Sequence, residues 1–135
     1  MLSENRMKDE IKKKILDACT TNILDLDGLG LREADIQEIF ESLGPHKSHI
    51  VSISLDRNAL GDSEAHFLSN GLKCFSKLSH LSIQFNQIGK EGALHLYSLK
   101  KDFPQLNIAF HGNKIRNVAT MLEIQQEALR NSLSP

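Results

Sequence analysis

The chain has 135 residues, of which 16 are basic and 17 acidic, and its formal net charge at pH 7 is −1. This balance excludes a global field that would steer the chain towards nucleic acid or anionic lipid, so we expect neither as a partner. The length fits one domain over 1–135, large enough to bury roughly two thirds of its unfolded surface.

The cysteine content and the N-terminal residues bear on the cellular compartment. Cys19 and Cys74 cannot define a disulfide framework, and we expect both to be reduced and buried in helices as small apolar side chains. The N-terminal residues lack the apolar stretch of a signal peptide, and no run approaches the roughly 18 apolar residues of a membrane span. We therefore expect a cytoplasmic protein with no membrane partner. Export without a cleaved signal peptide stays open.

The first segment, 1–20, is predicted to form an N-terminal capping helix. Ser3 is a suitable N-cap for it. Its apolar residues recur at helical spacing and fall on one stripe: Met7, Ile11, Ile15 and Ala18. The basic run Lys12–Lys14 fits a solvated face of that helix.

The next segment, 21–115, contains a pattern that recurs at nearly constant spacing. Each copy has apolar residues five and three positions before an asparagine and two positions after it, with Asn58, Asn86 and Asn113 in the asparagine position. An earlier copy has Leu29 in that position. The spacings along the chain are 29, 28 and 27 residues. A period of this length indicates a repeat architecture with one supersecondary unit per copy.

Each copy changes from a strand pattern to a helix pattern. The alternation around Ile53 and Leu55 predicts a short strand with one buried face. After Gly61 and Gly89 the spacing becomes helical, as it does in the first copy. The predicted inward residues of these helices are Ile36, Ile39, Phe40, Leu43, Ala65, Leu68, Leu72, Ala93, Leu96 and either Leu99 or Lys100. We expect the asparagines to satisfy backbone groups at the bend, and the two glycines to supply backbone angles that other residues resist.

The last segment, 116–135, is predicted to be a C-terminal helix and tail. Its proposed inward stripe consists of Val118, Met121, Leu122 and Leu129, with Gln125 as a weaker member. Terminal helices suit a repeat array, because the end copies have a neighbour on one side only.

The repeat pattern resembles leucine-rich repeats of the ribonuclease-inhibitor type. Residues 78–93, Leu-Ser-His-Leu-Ser-Ile-Gln-Phe-Asn-Gln-Ile-Gly-Lys-Glu-Gly-Ala, match at every characteristic position, and the likeness extends over about 21–122. It implies an α/β fold: a short solenoid with about four parallel strands on the concave side, helices on the convex side and helical caps at both ends. The resemblance implies a scaffold rather than a chemistry.

Counting back from the asparagine identifies side chains that point away from the core onto the concave face. The positions four, two and one before it form three rows: Asp25, Ser54, Ser82 and Ala109; Asp27, Asp56, Gln84 and His111; Gly28, Arg57, Phe85 and Gly112. Ser52 and His80 extend the face at its start. The candidate partner-binding residues are Asp25, Asp27, Ser54, Asp56, Arg57, His80, Ser82, Gln84, Phe85 and His111.

Two features of this face leave alternatives. Asp25, Asp27 and Asp56 form either an acidic patch for a basic partner or ordinary solvated surface. We expect no metal there, because three carboxylates on a flat sheet enclose a cation poorly. Phe85 is either a binding hot spot or a ring that folds sideways onto its neighbours or the turn.

The sequence contains no recognised catalytic motif. There is no phosphate-binding glycine loop, and the six histidines are not at metal-ligand spacing. We expect a non-enzymatic protein–protein interaction module with no cofactor, which binds another protein through the concave strands and adjoining turns. Four short strands offer on the order of 300 Å², against about 800 Å² for each side of a standard interface. Either the turns and a capping helix join the contact, or the affinity is modest, or the chain self-associates.

Two further readings concern role and origin. Some repeat proteins of the resembled type regulate enzymes, so the alternative is an inhibitor or activator of an enzyme such as a small GTPase or a nuclease. The chain also resembles in style the leucine-rich-repeat effectors that intracellular bacteria deliver into host cells. We therefore expect either cytoplasmic residence or delivery into a host cell.

Overall fold

The computed structural model describes residues 9–131, in which α-helices alternate with short parallel strands. The helices are α1 (Asp9–Thr21), α2 (Glu33–Leu43), α3 (Asp62–Gly71), α4 (Lys90–Tyr97) and α5 (Val118–Asn131), and the strands are β1 (Ile23–Asp25), β2 (Ser52–Ser54), β3 (His80–Ser82) and β4 (Asn107–Ala109). Short 3-10 turns follow α2, α3 and α4, at Gly44–His49, Leu72–Cys74 and Ser98–Lys101. Each strand with the segment that follows it forms one coil, and four coils stack into a short leucine-rich-repeat solenoid.

The four strands form one parallel sheet in the order β1-β2-β3-β4. Leu24, Ile53, Leu81 and Ile108 lie side by side, and so do Asp25, Ser54, Ser82 and Ala109. This register is the one that the spacing of the repeat predicts. Each coil therefore displays its equivalent residues next to those of the coil before it.

The core lies between the sheet and the convex helices. Every inward residue predicted for α2 and for the helical segments after Gly61 and Gly89 is buried, with Leu99 rather than Lys100 at the last position. The apolar strand positions Leu24, Leu26, Ile53, Leu55, Leu81 and Ile83 have no exposed surface. Phe40 and Phe75 contact edge to face, with ring centroids 4.8 Å apart, and so join the packing of adjacent coils.

The asparagines form a buried ladder that joins successive coils, as the sequence predicts. Asn86 Oδ1 accepts the backbone N–H groups of Asn58 (2.9 Å) and Leu60 (3.0 Å) in the coil before it. Its Nδ2 donates to the carbonyls of Leu55 (3.0 Å) and Ile83 (3.2 Å). One amide thus satisfies backbone groups of two coils that the bend leaves without strand partners.

The predicted role of Gly61 and Gly89 is wrong. Their φ angles are −111° and −101°, in the extended region that any residue adopts. Both are helix N-caps whose N–H groups donate to carboxylates, Glu64 Oε1 at 2.8 Å and Asp62 Oδ1 at 2.7 Å. Asp62 belongs to α3 while Gly89 caps α4, so this bond also links two coils.

A close approach instead requires glycine at position 92. A Cβ atom on Gly92 would lie 2.6 Å from Asp62 Oδ1 and 2.7 Å from Ile88 Cγ2. The Cβ of Ala65 in α3 would also lie only 3.0 Å away. Gly92 therefore lets α3 and α4 pack tightly side by side.

The two terminal helices pack differently. α1 packs on β1 and α2 and buries Ile11, Ile15 and Ala18 as predicted, whereas the expected Ser3 cap and Met7 lie outside the described residues. α5 packs on α4 and the turn Ser98–Lys101.

The inward stripe predicted for α5 is wrong in three members. Val118, Leu122 and Leu129 are 75%, 52% and 44% exposed. The buried residues are Ile124 and Ala128, with Met121 partly buried. These three recur at spacings of three and four, so α5 is rotated about its axis relative to the prediction.

The expected burial of the cysteines is also wrong, since Cys19 and Cys74 are both free and exposed. Cys19 follows buried Ala18 on α1 and so faces away from the core, and Cys74 lies on the outer side of a 3-10 turn. Within residues 9–131, no helix is long and apolar enough to cross a membrane.

Replacing Asn86 by alanine tests the asparagine ladder. The buried N–H groups of Asn58 and Leu60 would lose their acceptor. Since each unsatisfied group costs about 1–3 kcal/mol, we expect Asn86→Ala to lower the free energy of unfolding by about 3 kcal/mol, measured by urea denaturation. Asn70→Ala on the exposed surface of α3 is the matched control, with an expected change below about 0.5 kcal/mol. Equal losses for the two variants would contradict a special role for the ladder amide.

Candidate partner-binding face

The concave face displays the ten predicted residues in adjacent rows, but their accessibility differs. Asp25, Asp27, Arg57, Phe85 and His111 are exposed, and Ser54, His80 and Gln84 are half-buried. Asp56 and Ser82 are only 8% and 6% exposed, which leaves little of either side chain for a partner to contact.

A second side-chain ladder explains the burial of Asp56. Asp27 Oδ1 accepts hydrogen bonds from Ser54 Oγ (2.5 Å) and from the N–H of Asp56 (2.8 Å). One coil later, Asp56 Oδ1 accepts from Ser82 Oγ (2.7 Å) and from the N–H of Gln84 (2.8 Å). The aspartate at this position therefore holds the strand end of the next coil, a structural role that the sequence prediction missed.

The acidic end of the face is partly compensated by α1. Lys14 Nζ lies 3.8 Å from Asp25 Oδ2, and 54% of the Asp25 side chain is exposed. Such an exposed pair is screened by water and contributes little to stability. Asp25 and Asp27 together still leave accessible carboxylate surface at the β1 end.

The row next to the asparagines adopts left-handed backbone in all four coils. The φ angles of Gly28, Arg57, Phe85 and Gly112 are 64°, 60°, 56° and 83°. Glycine adopts this conformation without strain, whereas another L-residue costs about 1–2 kcal/mol. Arg57 and Phe85 are therefore held in a conformation that suits glycine better.

Arg57 and Phe85 form an exposed cluster with His111. The Arg57 guanidinium carbon lies 4.6 Å from the centroid of the Phe85 ring, in cation–π geometry. The His111 ring meets Phe85 edge to face, with centroids 5.6 Å apart. A Cβ on Gly112 would lie 2.4 Å from Phe85 Cδ1, so the ring packs over this glycine. The ring thus folds onto its neighbours, as one alternative expects, and it is still 44% exposed. A role of Phe85 as a binding hot spot stays a prediction.

Sequence reasoning missed several accessible residues at the start of the face. Ile23 and Val51 are 49% and 36% exposed, and Asn107 lies beside His80 with Nδ2 3.1 Å from the ring Nδ1. The repeat register could have identified Ile23 and Asn107, because they share one row across the sheet with Ser52 and His80.

A groove lies at the C-terminal end of the solenoid. This terminal groove, of about 520 Å³, is lined by Tyr97, Phe110, His111, Gly112, Asn113, Ile115, Arg116, Asn117, Val118 and Met121. Burial raises the pKa of the Tyr97 hydroxyl above its ordinary value, so the group is neutral at physiological pH. The groove is therefore mainly apolar, with Arg116 as a charged residue of its lining and backbone groups along one side.

Four of the six histidines form ring pairs away from this groove. His66 and His95 stack on the convex helices with centroids 4.0 Å apart, and His46 and His49 are 5.0 Å apart. Over residues 9–131, no group of three or more His, Cys, Asp or Glu side chains is placed to hold a metal ion.

Comparisons with known proteins agree with the fold. No protein-family model matches the chain. It is similar to leucine-rich repeat-containing protein 75B of Homo sapiens, with 27% identity over 135 residues, which is 98% of this chain and 42% of the relative. The chain thus spans less than half the length of that relative.

A solved structure has a similar fold. The tropomodulin C-terminal domain of Caenorhabditis elegans superposes with a TM-score of 0.60 and 14% identity, over 91% of this chain and 92% of that chain. At this identity the likeness concerns the fold alone. It supports the predicted short solenoid with four parallel strands.

The aspartate ladder is tested by shortening Asp56. Asp56→Ala leaves Ser82 Oγ and the Gln84 N–H without their acceptor, so we expect the free energy of unfolding to fall by about 2 kcal/mol. Urea denaturation measures this change. Asp25→Ala removes an exposed carboxylate of the same face, and we expect a loss below about 0.5 kcal/mol. A loss for Asp25→Ala as large as that for Asp56→Ala would contradict the ladder.

The left-handed backbone at Phe85 predicts that a glycine variant is more stable there than an alanine variant, the reverse of the order expected in a helix. We expect Phe85→Gly to be more stable than Phe85→Ala by about 1 kcal/mol, because only alanine keeps the strain at φ 56°. Glu38, exposed in the middle of α2, is the control: there the glycine variant should be less stable than the alanine variant by about 1 kcal/mol. Thermal and urea unfolding measure the stability of the glycine and alanine variants at both positions. Greater stability of Phe85→Ala than of Phe85→Gly, the order expected at position 38, would contradict backbone strain at Phe85.

Proposed function

We propose that this chain is a protein-interaction module that binds a partner protein through the concave face, with Phe85 as the central contact. The observation that carries the proposal is the exposed, left-handed Phe85 with Arg57 over its ring. Aromatic and arginine side chains dominate the energetics of protein interfaces. Here both are supported by their neighbours, so little side-chain freedom is lost when a partner binds.

The charges of the face define the chemistry of the partner. Asp25 and Asp27 are exposed at the β1 end, and Arg57 lies two coils before the C-terminal edge. A partner that is basic opposite the two carboxylates, and apolar with an acidic rim opposite Phe85 and Arg57, would match this pattern. Complementary charge of this kind fixes the orientation of the partner and speeds its association.

No contact among the described residues supports the other predicted roles. Regulation of a small GTPase or nuclease stays a prediction, and a rate assay with purified enzyme tests it. Delivery into a host cell, cytoplasmic residence and the absence of enzymatic activity also stay predictions. The likeness to a leucine-rich repeat-containing protein supports the proposal of protein binding.

The proposed face is tested with Arg57→Gly combined with Phe85→Gly. This variant removes both contacts and keeps the left-handed backbone, so the fold should persist. The partner captured by the wild-type chain is purified, and calorimetry gives its Kd for each variant. We expect the Kd to rise at least about tenfold.

Glu38→Ala on the convex surface is the matched control and should bind like the wild type. Loss of binding in the control with retention in the double variant would move the interface to the helices. Sedimentation without partner shows whether a second copy of this chain occupies the same face.

A further inference from the structure

The two ends of the sheet are covered differently. α1 packs on β1, whereas α5 packs on α4 and the turn Ser98–Lys101. β4 pairs with β3 and forms the C-terminal edge of the sheet. The terminal groove lies beside this edge. Unpaired backbone groups at a strand edge are a template for another extended chain.

The first two coils show which N–H groups of a coil find acceptors in the coil that follows. In the second coil, the N–H groups of Leu55 (2.8 Å) and Arg57 (3.1 Å) donate to backbone carbonyls of the third coil. The N–H groups of Asn58 (2.9 Å) and Leu60 (3.0 Å) donate to Asn86 Oδ1. The first coil repeats this set of four donors towards the second. The first two coils thus each present two donors for carbonyls and two for one side-chain oxygen. The third coil donates from Ile83 and Phe85 to carbonyls and from Ile88 to Asn113 Oδ1.

The equivalent donors of the fourth coil have no acceptor in the part of the chain that the structure describes. By position relative to the asparagine they are the N–H groups of Phe110, Gly112, Asn113 and Ile115. All four residues line the terminal groove. The apolar side chains of Tyr97 and Met121 lie in the same groove. Hydrogen-bond donors and apolar surface therefore meet at one site.

We propose that this edge and the terminal groove bind an extended segment of a partner protein, which adds a fifth parallel strand. Its backbone carbonyls four and two positions before an Asn or Asp would accept from Phe110 and Gly112. The Asn or Asp oxygen would accept from Asn113 and Ile115. Apolar residues five and three positions before it would enter the groove. The segment therefore has the pattern apolar-x-apolar-x-x-Asn/Asp, bound by strand addition.

This site is separate from the proposed function, because it does not require Arg57 or Phe85. A peptide with the sequence of residues 79–88, Ser-His-Leu-Ser-Ile-Gln-Phe-Asn-Gln-Ile, has the pattern and is the probe. Hydrogen exchange by NMR on the full chain should show slowing of the Phe110, Gly112, Asn113 and Ile115 amides by at least about tenfold at saturating peptide. A peptide with Asn86→Leu should bind about tenfold more weakly, because one acceptor of two N–H groups is lost.

Variants of the groove complete the test. Met121→Lys places a charge in the groove and should abolish peptide protection, whereas Met121→Leu keeps the apolar volume and should bind like the wild type. The remaining amide signals of each variant report whether it is folded. No protection of the four amides at millimolar peptide, or equal binding by Met121→Lys, would overturn the proposal. Protection that grows with protein concentration in the absence of peptide would assign the edge to a second copy instead, and would overturn the choice of a partner segment.

Discussion

The stacking of this solenoid depends on a buried amide at one position of the second, third and fourth coils, supplied by Asn58, Asn86 and Asn113. The strands are three residues long, so the backbone ladder supplies few hydrogen bonds between coils. The Asn58 side chain both accepts and donates hydrogen bonds to the first coil. Its Oδ1 accepts from the N–H groups of Leu29 and Leu31, and its Nδ2 donates to the Leu26 carbonyl. An amide can do this because it has two donors and a carbonyl acceptor in one plane. A carboxylate would lack the donors, and an apolar residue would leave buried N–H groups unsatisfied.

The concave face inherits its layout from this stacking but is not uniform along it. The carboxylates of Asp27 and Asp56 tie the first three coils together at the strand ends. The ladder stops at Gln84, which is followed by His111 in the next coil. Asp56 and Ser82 are therefore buried by these bonds, whereas Asp25, Asp27 and the ring of Phe85 stay accessible. The same sheet thus combines structural carboxylates with exposed groups that a partner can contact.

Much of the fold could be predicted because the asparagine position fixes the register. Counting from Asn58, Asn86 and Asn113 placed the strand register and the buried apolar residues of the strands correctly. The orientation of α5 could not be predicted in this way, because its apolar residues allow two overlapping stripes and packing on α4 selects the one with Ile124. Alternation also misplaced Asp56, since it lies beyond the end of β2, where a turn rather than a pleat determines side-chain direction.

In the row with left-handed backbone, Gly28, Arg57, Phe85 and Gly112, the residue type alone does not predict the conformation, because contacts with the neighbouring coil also determine it. Gly28 and Gly112 are the residues that such backbone favours, and they were visible in the sequence, but Arg57 and Phe85 carry no such signal. Their strain is sustained by contacts across coils: the guanidinium on the ring, and the ring on the bare backbone of Gly112. A side chain at Gly112 would displace the ring, so the absence of a Cβ in the fourth coil sets the position of an aromatic in the third. Position along the repeat determines the backbone, and the neighbouring coil determines which side chain that backbone can display.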